Sequence, residues 1–196
     1  MKTTFIQIAR ENSYLVIDTP GKYVVFFSNI SGTVSCRIAA EHVELYLVGL
    51  YDMKKNEKYS IRTEQIHVAP CSFSDLYILS VADNSSSLNF SGLIRIEKKA
   101  QQSHAYQKNQ NLILSPSAFV SSSPILEILA DDVFCTHGST SGPISKPQLS
   151  YLQMRGLSLQ EATTLSVAGF KQLVYDRLEK LKSTSYKIHT CSTLKK

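Results

Sequence analysis

The chain has 196 residues, of which 43% are hydrophobic and 19% are charged, and its formal net charge is +5. This composition excludes disordered, collagen-like and coiled-coil proteins, and the length suits one domain with a small appendage. No apolar run approaches the roughly 20 residues that span a bilayer, and the first residues lack the pattern of a signal peptide. We therefore expect a cytoplasmic chain with no membrane partner.

The excess of positive charge is confined to the end of the chain. Residues 171–196 carry seven basic and two acidic side chains, whereas residues 1–170 carry fourteen of each sign. A nucleic-acid-binding protein usually presents a basic stripe on its folded surface. The distribution instead indicates a solvated basic tail and no nucleic-acid partner.

The first 140 residues read as short strands, rich in β-branched and aromatic residues and separated by turn signals. The predicted strands are 23–27, 43–50, 59–68, 75–81, 88–96, 111–114 and 125–134. Many short strands at fairly even spacing are typical of a sandwich, a barrel or a β-helix. The periodicity alone does not choose among these three architectures.

After residue 144 the spacing of the apolar residues changes to the spacing that is typical of α-helices. Ser145 with Gln148 forms a capping box that predicts a short helix, which should stop at Gly156. Ser158 with Glu161 forms a second capping box, and the helix behind it carries one apolar stripe to about residue 182. A stripe of this length must be buried against the body of the protein or against a partner, and both alternatives remain open.

One segment of the sequence resembles a known family. Residues 124–140 read P-I-L-E-I-L-A-D-D-V-F-C-T-H-G-S-T, and they are followed by L-S-Y-L at 149–152 and R-G-L at 155–157. Upstream, F-S-G-L-I-R-I at 90–96 and N-L-I-L at 111–114 extend the match. These motifs resemble the SufB/SufD family of scaffold proteins of the Suf iron–sulfur cluster assembly machinery, and are most similar to its SufD branch. The resemblance covers residues 20–181, and the chain lacks the N-terminal half that is usual in the family.

The resemblance implies a mainly β fold, a truncated right-handed parallel β-helix followed by a small C-terminal α-helical domain. We expect an N-terminal segment or cap at 1–20, a β-helix core at 21–144, a helical domain at 145–182 and a basic flexible tail at 183–196. The implied role is that of a non-catalytic scaffold. It pairs with a SufB-type chain through the β-helix and with the SufC-type ATPase through the C-terminal helices, in a hetero-oligomer, with a homodimer as the other assembly.

The resemblance also identifies site residues. By position, His137 matches the histidine that the SufD branch contributes at the interface where the nascent cluster forms. Cys135 is the second candidate, because positions i and i+2 of a strand share a face and thiolate and imidazole are both ligands for iron. The candidate ATPase-binding residues are Leu149, Tyr151, Leu152, Arg155, Gly156 and Phe170.

The resemblance also leads to an expectation about cofactors. The resemblance implies no stably bound cofactor but a nascent iron–sulfur cluster at the interface with SufB. Two ligands on one strand do not complete a tetrahedral metal site, so a partner chain would have to supply the others. The sequence contains no phosphate-binding glycine loop, so ATP is expected only through the SufC partner. Two alternatives remain. The first is a β-helical interaction module or a degenerate SufD copy, either of which would bind partners without cluster chemistry. The second is an enzyme that uses Cys135 as nucleophile and His137 as base.

Overall fold

The computed structural model describes residues 3–183, so the basic tail expected at 183–196 lies outside the described residues except for Ser183, which ends the last helix. Eleven strands precede two helices in this part of the chain. The strands are β1 (Thr3–Ile8), β2 (Ser13–Ile17), β3 (Gly21–Ser28), β4 (Gly32–Ile38), β5 (Val43–Met53), β6 (Lys58–His67), β7 (Phe73–Ala82), β8 (Ser87–Ile96), β9 (His104–Ile113), β10 (Phe119–Ile128) and β11 (Phe134–Gly142). The helices are α1 (Lys146–Met154) and α2 (Leu159–Ser183). Neither of them is long and apolar enough to cross a membrane.

The strands form a parallel β-solenoid with two sheets. Odd-numbered strands make a six-stranded sheet in the order β1-β3-β5-β7-β9-β11, here called sheet A, and even-numbered strands make a five-stranded sheet in the order β10-β8-β6-β4-β2, here called sheet B. Phe73 pairs with His104, and His104 pairs with Phe134, so one coil takes about 30 residues. The expected β-helical fold with a C-terminal helical region is thereby confirmed.

Two parts of the chain, near its start and at 125–134, differ from the prediction. Residues 3–17, which the sequence assigns to an N-terminal segment or cap, form β1 and β2 and extend both sheets by pairing with β3 and β4. The strand predicted at 125–134 is wrong, because the chain bends at Asp131 and Asp132 and divides this stretch between β10 and β11. The bend is fixed by a hydrogen bond from the Gln102 amide to the Asp132 carbonyl at 2.6 Å.

The main core lies between the two sheets. Phe27, Leu47, Tyr51 and Ile78 are all completely buried there. Gly49 permits the closest packing, because a Cβ at this position would lie 2.7 Å from Cε2 of Phe27. Side chains of successive coils therefore stack tightly along the axis of the solenoid.

Helix α2 covers the outer face of sheet A. Its buried Val174 and Leu178 pack against a second apolar cluster, which includes Val24 and Val48 of the sheet. Lys22 of β3 donates a hydrogen bond to the Leu181 carbonyl at 2.5 Å, near the end of the helix. The chain thus buries one face of α2, whereas Leu159, Leu165 and Leu173 of the predicted stripe are between 48% and 56% exposed. Burial against the body accounts for part of the stripe, and burial against a partner stays open for the rest.

Both predicted helix starts have the expected caps. Gln148 donates its amide to Oγ of Ser145 at 3.3 Å, and α1 begins at the next residue after Ser145. At α2, the Ser158 amide donates to Oε2 of Glu161 at 2.8 Å, and the Glu161 amide donates to Oγ of Ser158 at 3.3 Å. These reciprocal contacts satisfy amides that a helix start otherwise leaves unpaired.

A polar group is buried inside the solenoid at His67. Its ring nitrogens lie 2.7 Å from Oγ of Ser72 and 2.7 Å from Oγ of Ser74, and its side chain is completely buried. Burial lowers the pKa of His67 from 6.5 to about 4. The ring is therefore neutral in the folded protein near neutral pH, and protonation acts against folding.

We expect this buried histidine to make the protein acid-sensitive. Because the folded pKa lies below the unfolded one, the contribution of His67 to stability is complete above pH 6.5 and falls as the pH drops from 6.5 to about 4. The loss amounts to about 3 kcal/mol, at about 1.4 kcal/mol per pKa unit. Urea unfolding of the wild type and of His67→Gln at several pH values measures it. An equally steep pH dependence in the two proteins would contradict the assignment.

Candidate functional site

The solenoid ends at β10 and β11, the last strands of sheets B and A. Within residues 3–183, β10 pairs only with β8 and β11 pairs only with β9. One edge of each strand therefore presents backbone amide and carbonyl groups that no described strand satisfies. An edge of this kind is a template for pairing with another chain.

Cys135 and His137 lie on β11 and share one of its faces. In the parallel register, Cys135 lies beside Ala105 and His137 beside Gln107, and both of these β9 side chains are buried toward the solenoid axis. Cys135 is a half-buried free thiol that packs against the apolar cluster around Ile96. His137 is exposed at the open end. The structure thus places the two candidates on a common face, with only His137 freely accessible.

The environment of Cys135 bears on its reactivity. Burial raises the pKa of its thiol to about 11, so the thiol is protonated near neutral pH. A nucleophilic cysteine needs a lowered pKa, supplied by a nearby positive charge or a helix N-terminus. The structure shows the opposite shift at this position.

Large apolar side chains are exposed around the same end of the solenoid. They are Phe119, Ile125, Leu126, Ile128, Leu129 and Phe134, each between 38% and 64% exposed. All six belong to β10, to the start of β11 or to the connection between these strands. We call this surface the β10–β11 end. Apolar side chains clustered at one exposed place are typical of protein interaction sites.

Polar groups inside the same end lack partners. Among the described residues, Oε1 of Gln107, Nδ2 of Asn109 and Oγ of Ser122 are buried and accept or donate no hydrogen bond. Buried polar atoms are nearly always hydrogen-bonded, so unpaired ones call for an explanation. The sequence analysis missed these residues, although polar side chains at the alternating positions 107, 109 and 111 are a signal of a polar strand face.

A cavity of about 490 Å³ lies beside β11, and we call it the His137 pocket. It is lined by residues 106–109 of β9, residues 136–140 of β11, Asp75 of β7 and Arg177 of α2. Gly138 leaves room in it, because nothing lies within 4 Å of where its Cβ would be. The candidate histidine and a residue of the helical region therefore line the same pocket.

Asp75 and Arg177 form an ion pair at one side of this pocket. Burial raises the pKa of Asp75, and the neighbouring Arg177 guanidinium opposes that shift. The guanidinium also lies over the Tyr77 ring, 4.8 Å from its centroid. Neither Asp75 nor Arg177 was predicted, because 102 residues separate them in the sequence.

A second cavity, of about 680 Å³, lies between α1, α2 and the segment that leaves β11, and we call it the helical groove. Its lining includes Tyr151, Leu152 and Phe170, three of the candidate partner-binding residues. The other three lie outside that lining. Leu149 is half-buried on α1, Arg155 stacks over the Tyr151 ring at 5.2 Å, and Gly156 follows the helix with a φ of +95°.

No group of three or more His, Cys, Asp or Glu side chains within residues 3–183 is arranged to hold a metal ion. Cys135 and His137 supply two donors on one strand, whereas a tetrahedral site needs four. Any iron or cluster at this strand would require ligands from outside the described chain.

Comparison with known proteins agrees with this geometry. The family model described as "SUF system FeS cluster assembly, SufBD core domain" matches residues 26–170. The iron–sulfur cluster assembly protein SufD of Escherichia coli is 34% identical over 137 residues, which cover 69% of this chain and 32% of that protein. SufD of Bacillus subtilis is 34% identical over 116 residues, covering 59% of this chain and 26% of that protein.

SufB of Bacillus subtilis is also similar, at 28% identity over 116 residues, covering 59% of this chain and 25% of that protein. The matched part thus amounts to a quarter to a third of the length of these relatives. The family model covers most of the β-solenoid and both candidate cluster residues. The chain therefore belongs to the SufBD family of iron–sulfur cluster assembly proteins.

Proposed function

We propose that this chain is a non-catalytic, cytoplasmic scaffold subunit of the Suf iron–sulfur cluster assembly complex. It pairs with a SufB-type chain through the β10–β11 end and with a SufC-type ATPase through α1 and α2. The observation that carries this proposal is the concentration of exposed apolar side chains around β10 and β11, where both sheets end and where His137 is accessible.

The β10–β11 end has the properties that strand pairing requires. Its two edge strands have free backbone groups, its rim is apolar, and its interior holds unpaired polar atoms on Gln107, Asn109 and Ser122. A partner whose own strands continue the sheets would pair the edges and cover the apolar rim. A second copy of this chain has the same surface and could form an isologous dimer.

The nascent cluster is cargo in this proposal and is held between the chains. His137 supplies an imidazole at the interface, Cys135 lies behind it on the same strand face, and the partner supplies the remaining ligands. The raised pKa of Cys135 argues against a nucleophilic role for this thiol. The scaffold role is inferred from the family and from the exposed β10–β11 end.

The helical groove is the proposed docking surface for the ATPase. No residue of α1 is buried, and Tyr151 and Met154 on it are 53% and 79% exposed. An aromatic side chain beside an apolar groove is the kind of anchor that contributes strongly to binding. Residues of α2 line the groove, so a protein bound there would contact the helix that covers sheet A.

Co-expression with a SufB-type and a SufC-type chain from the same source tests the proposal. The tag is placed on this chain, the mass is read by light scattering, and iron and acid-labile sulfide are measured. We expect a complex with one copy each of this chain and SufB and two of SufC. In that complex His137→Ala should lower the cluster content about tenfold or more, the order of loss that follows disruption of a metal's ligand environment.

Thr136→Ala is the matched control, because this neighbouring side chain points to the opposite face of β11. It should leave both mass and cluster content unchanged. A normal complex whose cluster content is insensitive to His137→Ala would support the alternative, an interaction module without cluster chemistry. A free monomer or a homodimer would contradict the proposed pairing with SufB.

A further inference from the structure

Helix α2 covers only part of the outer face of sheet A, because it packs on β3, β5 and β7. The last two strands, β9 and β11, carry outward-facing side chains beside the helix. On β9 these are Tyr106 and Lys108, which alternate with the inward-facing Ala105 and Gln107. The His137 pocket is lined by this uncovered surface, whereas the side chain of His137 lies on the other face of β11. The outward-facing lining residues are therefore a separate group from the candidate cluster residues.

The register of β9 and β11 brings polar side chains together in this pocket. Lys108 lies beside Gly138, and Thr136 and Thr140 lie two residues to either side of Gly138 on the same face. Two residues of a strand span about 7 Å. Gly138 adds no side chain, and nothing lies within 4 Å of where its Cβ would be. One ammonium group and two hydroxyl groups thus surround an open space.

A second cation lines the pocket from α2. The Arg177 guanidinium lies over the Tyr77 ring, 4.8 Å from its centroid, and Tyr77 is the register neighbour of Lys108. Asp75 is the acidic residue among the lining residues. Burial raises the pKa of Asp75, and the charges of Arg177 and Lys108 oppose that rise. Two positive charges therefore act on the same place as one negative charge, and the pocket is positive on balance.

Both cations have binding capacity that the described chain does not use. Arg177 donates to Asp75 through Nη2, but its Nε is buried and has no acceptor among residues 3–183. Lys108 is exposed and forms no ion pair with another described residue. A buried N–H group without an acceptor calls for an explanation. A ligand that carries several acceptor oxygens and a negative charge would satisfy both groups.

The size and the remaining lining of the pocket indicate what else the ligand carries. A volume of about 490 Å³ is that of a small-molecule site and exceeds what a single phosphate group fills. The Tyr106 ring lines the pocket and is packed against Phe73, with 5.7 Å between the ring centroids. A ring held in this way offers a surface on which a flat apolar group can pack.

We propose that the His137 pocket binds a phosphate monoester that carries an aromatic ring. Lys108 and Arg177 contact the phosphate, and the hydroxyl groups of Thr136 and Thr140 donate hydrogen bonds to it. The aromatic ring packs against Tyr106. A phosphate monoester carries a charge of about −1.5 to −2 near neutral pH, which suits a pocket with two cations better than a carboxylate does. The proposal does not depend on pairing with other Suf proteins.

Isothermal titration calorimetry of the full chain with phenyl phosphate tests the proposal. We expect saturable binding at one site. Lys108→Gln should weaken it about fivefold, the effect of removing one exposed charge contact. Gly138→Val should abolish it, because the added side chain occupies the open space beside Lys108. Lys58→Gln is the matched control: Lys58 is an exposed lysine on β6 of the other sheet, and its loss changes the net charge equally. It should leave the Kd unchanged.

Two further probes separate the parts of the ligand. Benzoate has the ring with a carboxylate in place of the phosphate, and inorganic phosphate lacks the ring. Phenyl phosphate should bind about fivefold or more tightly than either of them. Thermal unfolding shows whether each variant keeps the fold, and Lys108→Gln changes only an exposed side chain. The inference is overturned by the absence of saturable binding, by equal affinity for all three probes, or by equal weakening with Lys58→Gln.

Discussion

Replacing Phe134 with Asp should weaken pairing with a SufB-type chain about 100-fold or more. Phe134 is 64% exposed at the start of β11, three residues before His137. Truncation of an aromatic anchor of an interface costs about 2–4 kcal/mol, and a carboxylate buried in its place adds to that cost. A loss of about 3 kcal/mol corresponds to a factor of about 100 in Kd, which isothermal titration calorimetry can measure.

Tyr14→Asp is the matched control for this prediction. Tyr14 is an aromatic residue that is 71% exposed on β2, at the opposite end of the solenoid. Its replacement should leave the affinity unchanged. Equal losses for the two variants would mean that the β10–β11 end is not the specific interface. Because both side chains are exposed, each variant should keep the thermal stability of the wild type to within about 1 kcal/mol.

The largest expected effect on stability is that of Phe27→Ala. The Phe27 ring is completely buried between the sheets, where it fills the space above Gly49 and meets the Tyr51 ring edge-on at 6.5 Å. Removal of a buried aromatic ring leaves a cavity and costs about 3–5 kcal/mol. Urea unfolding monitored by circular dichroism measures the loss.

Phe119→Ala provides the comparison, since the same side chain at that position is 58% exposed on β10. Its replacement should cost less than about 1 kcal/mol. A similar destabilisation in both variants would contradict the placement of the core between the sheets. Because Phe119 belongs to the β10–β11 end, the same variant should be stable but impaired in partner binding.

The strands of this protein were predicted best where β-branched and aromatic residues are concentrated. The sequence indicated β3, β5 and β8 because they are rich in such residues. It missed β1, β2 and β4, and it shortened β9. Strand β11 was absent from the predicted strands beyond residue 134, because residues 136–142 are small or hydroxylated, apart from His137, and resemble a loop. Only the spacing of Cys135 and His137 was interpreted as that of a strand.

The architecture could not be chosen from periodicity alone, and β5 shows why. Leu47 faces the core between the sheets, and the adjacent Val48 faces α2, yet both are completely buried. A strand that is covered on both faces has no alternation of polar and apolar residues. The choice of a β-helix came from the resemblance of the motifs, and the structure confirms it.

The candidate site was predictable only in the part that depends on local sequence. The common face of Cys135 and His137 follows from strand alternation, which is a local property. The ion pair between Asp75 and Arg177 depends on where α2 packs against sheet A. Such contacts join residues distant in the sequence, and no local pattern indicates them.

Helix α2 also changes how the solenoid folds as a whole. In a stacked-coil protein each repeat contacts only its neighbours, so stability is close to a sum of nearest-neighbour terms. Here a single helix contacts β3, β5 and β7, and its end is hydrogen-bonded to Lys22, 159 residues earlier in the chain. The helix makes the free energies of separate coils depend on one another. Cooperativity between distant coils is therefore built into the segment that is translated last among the described residues.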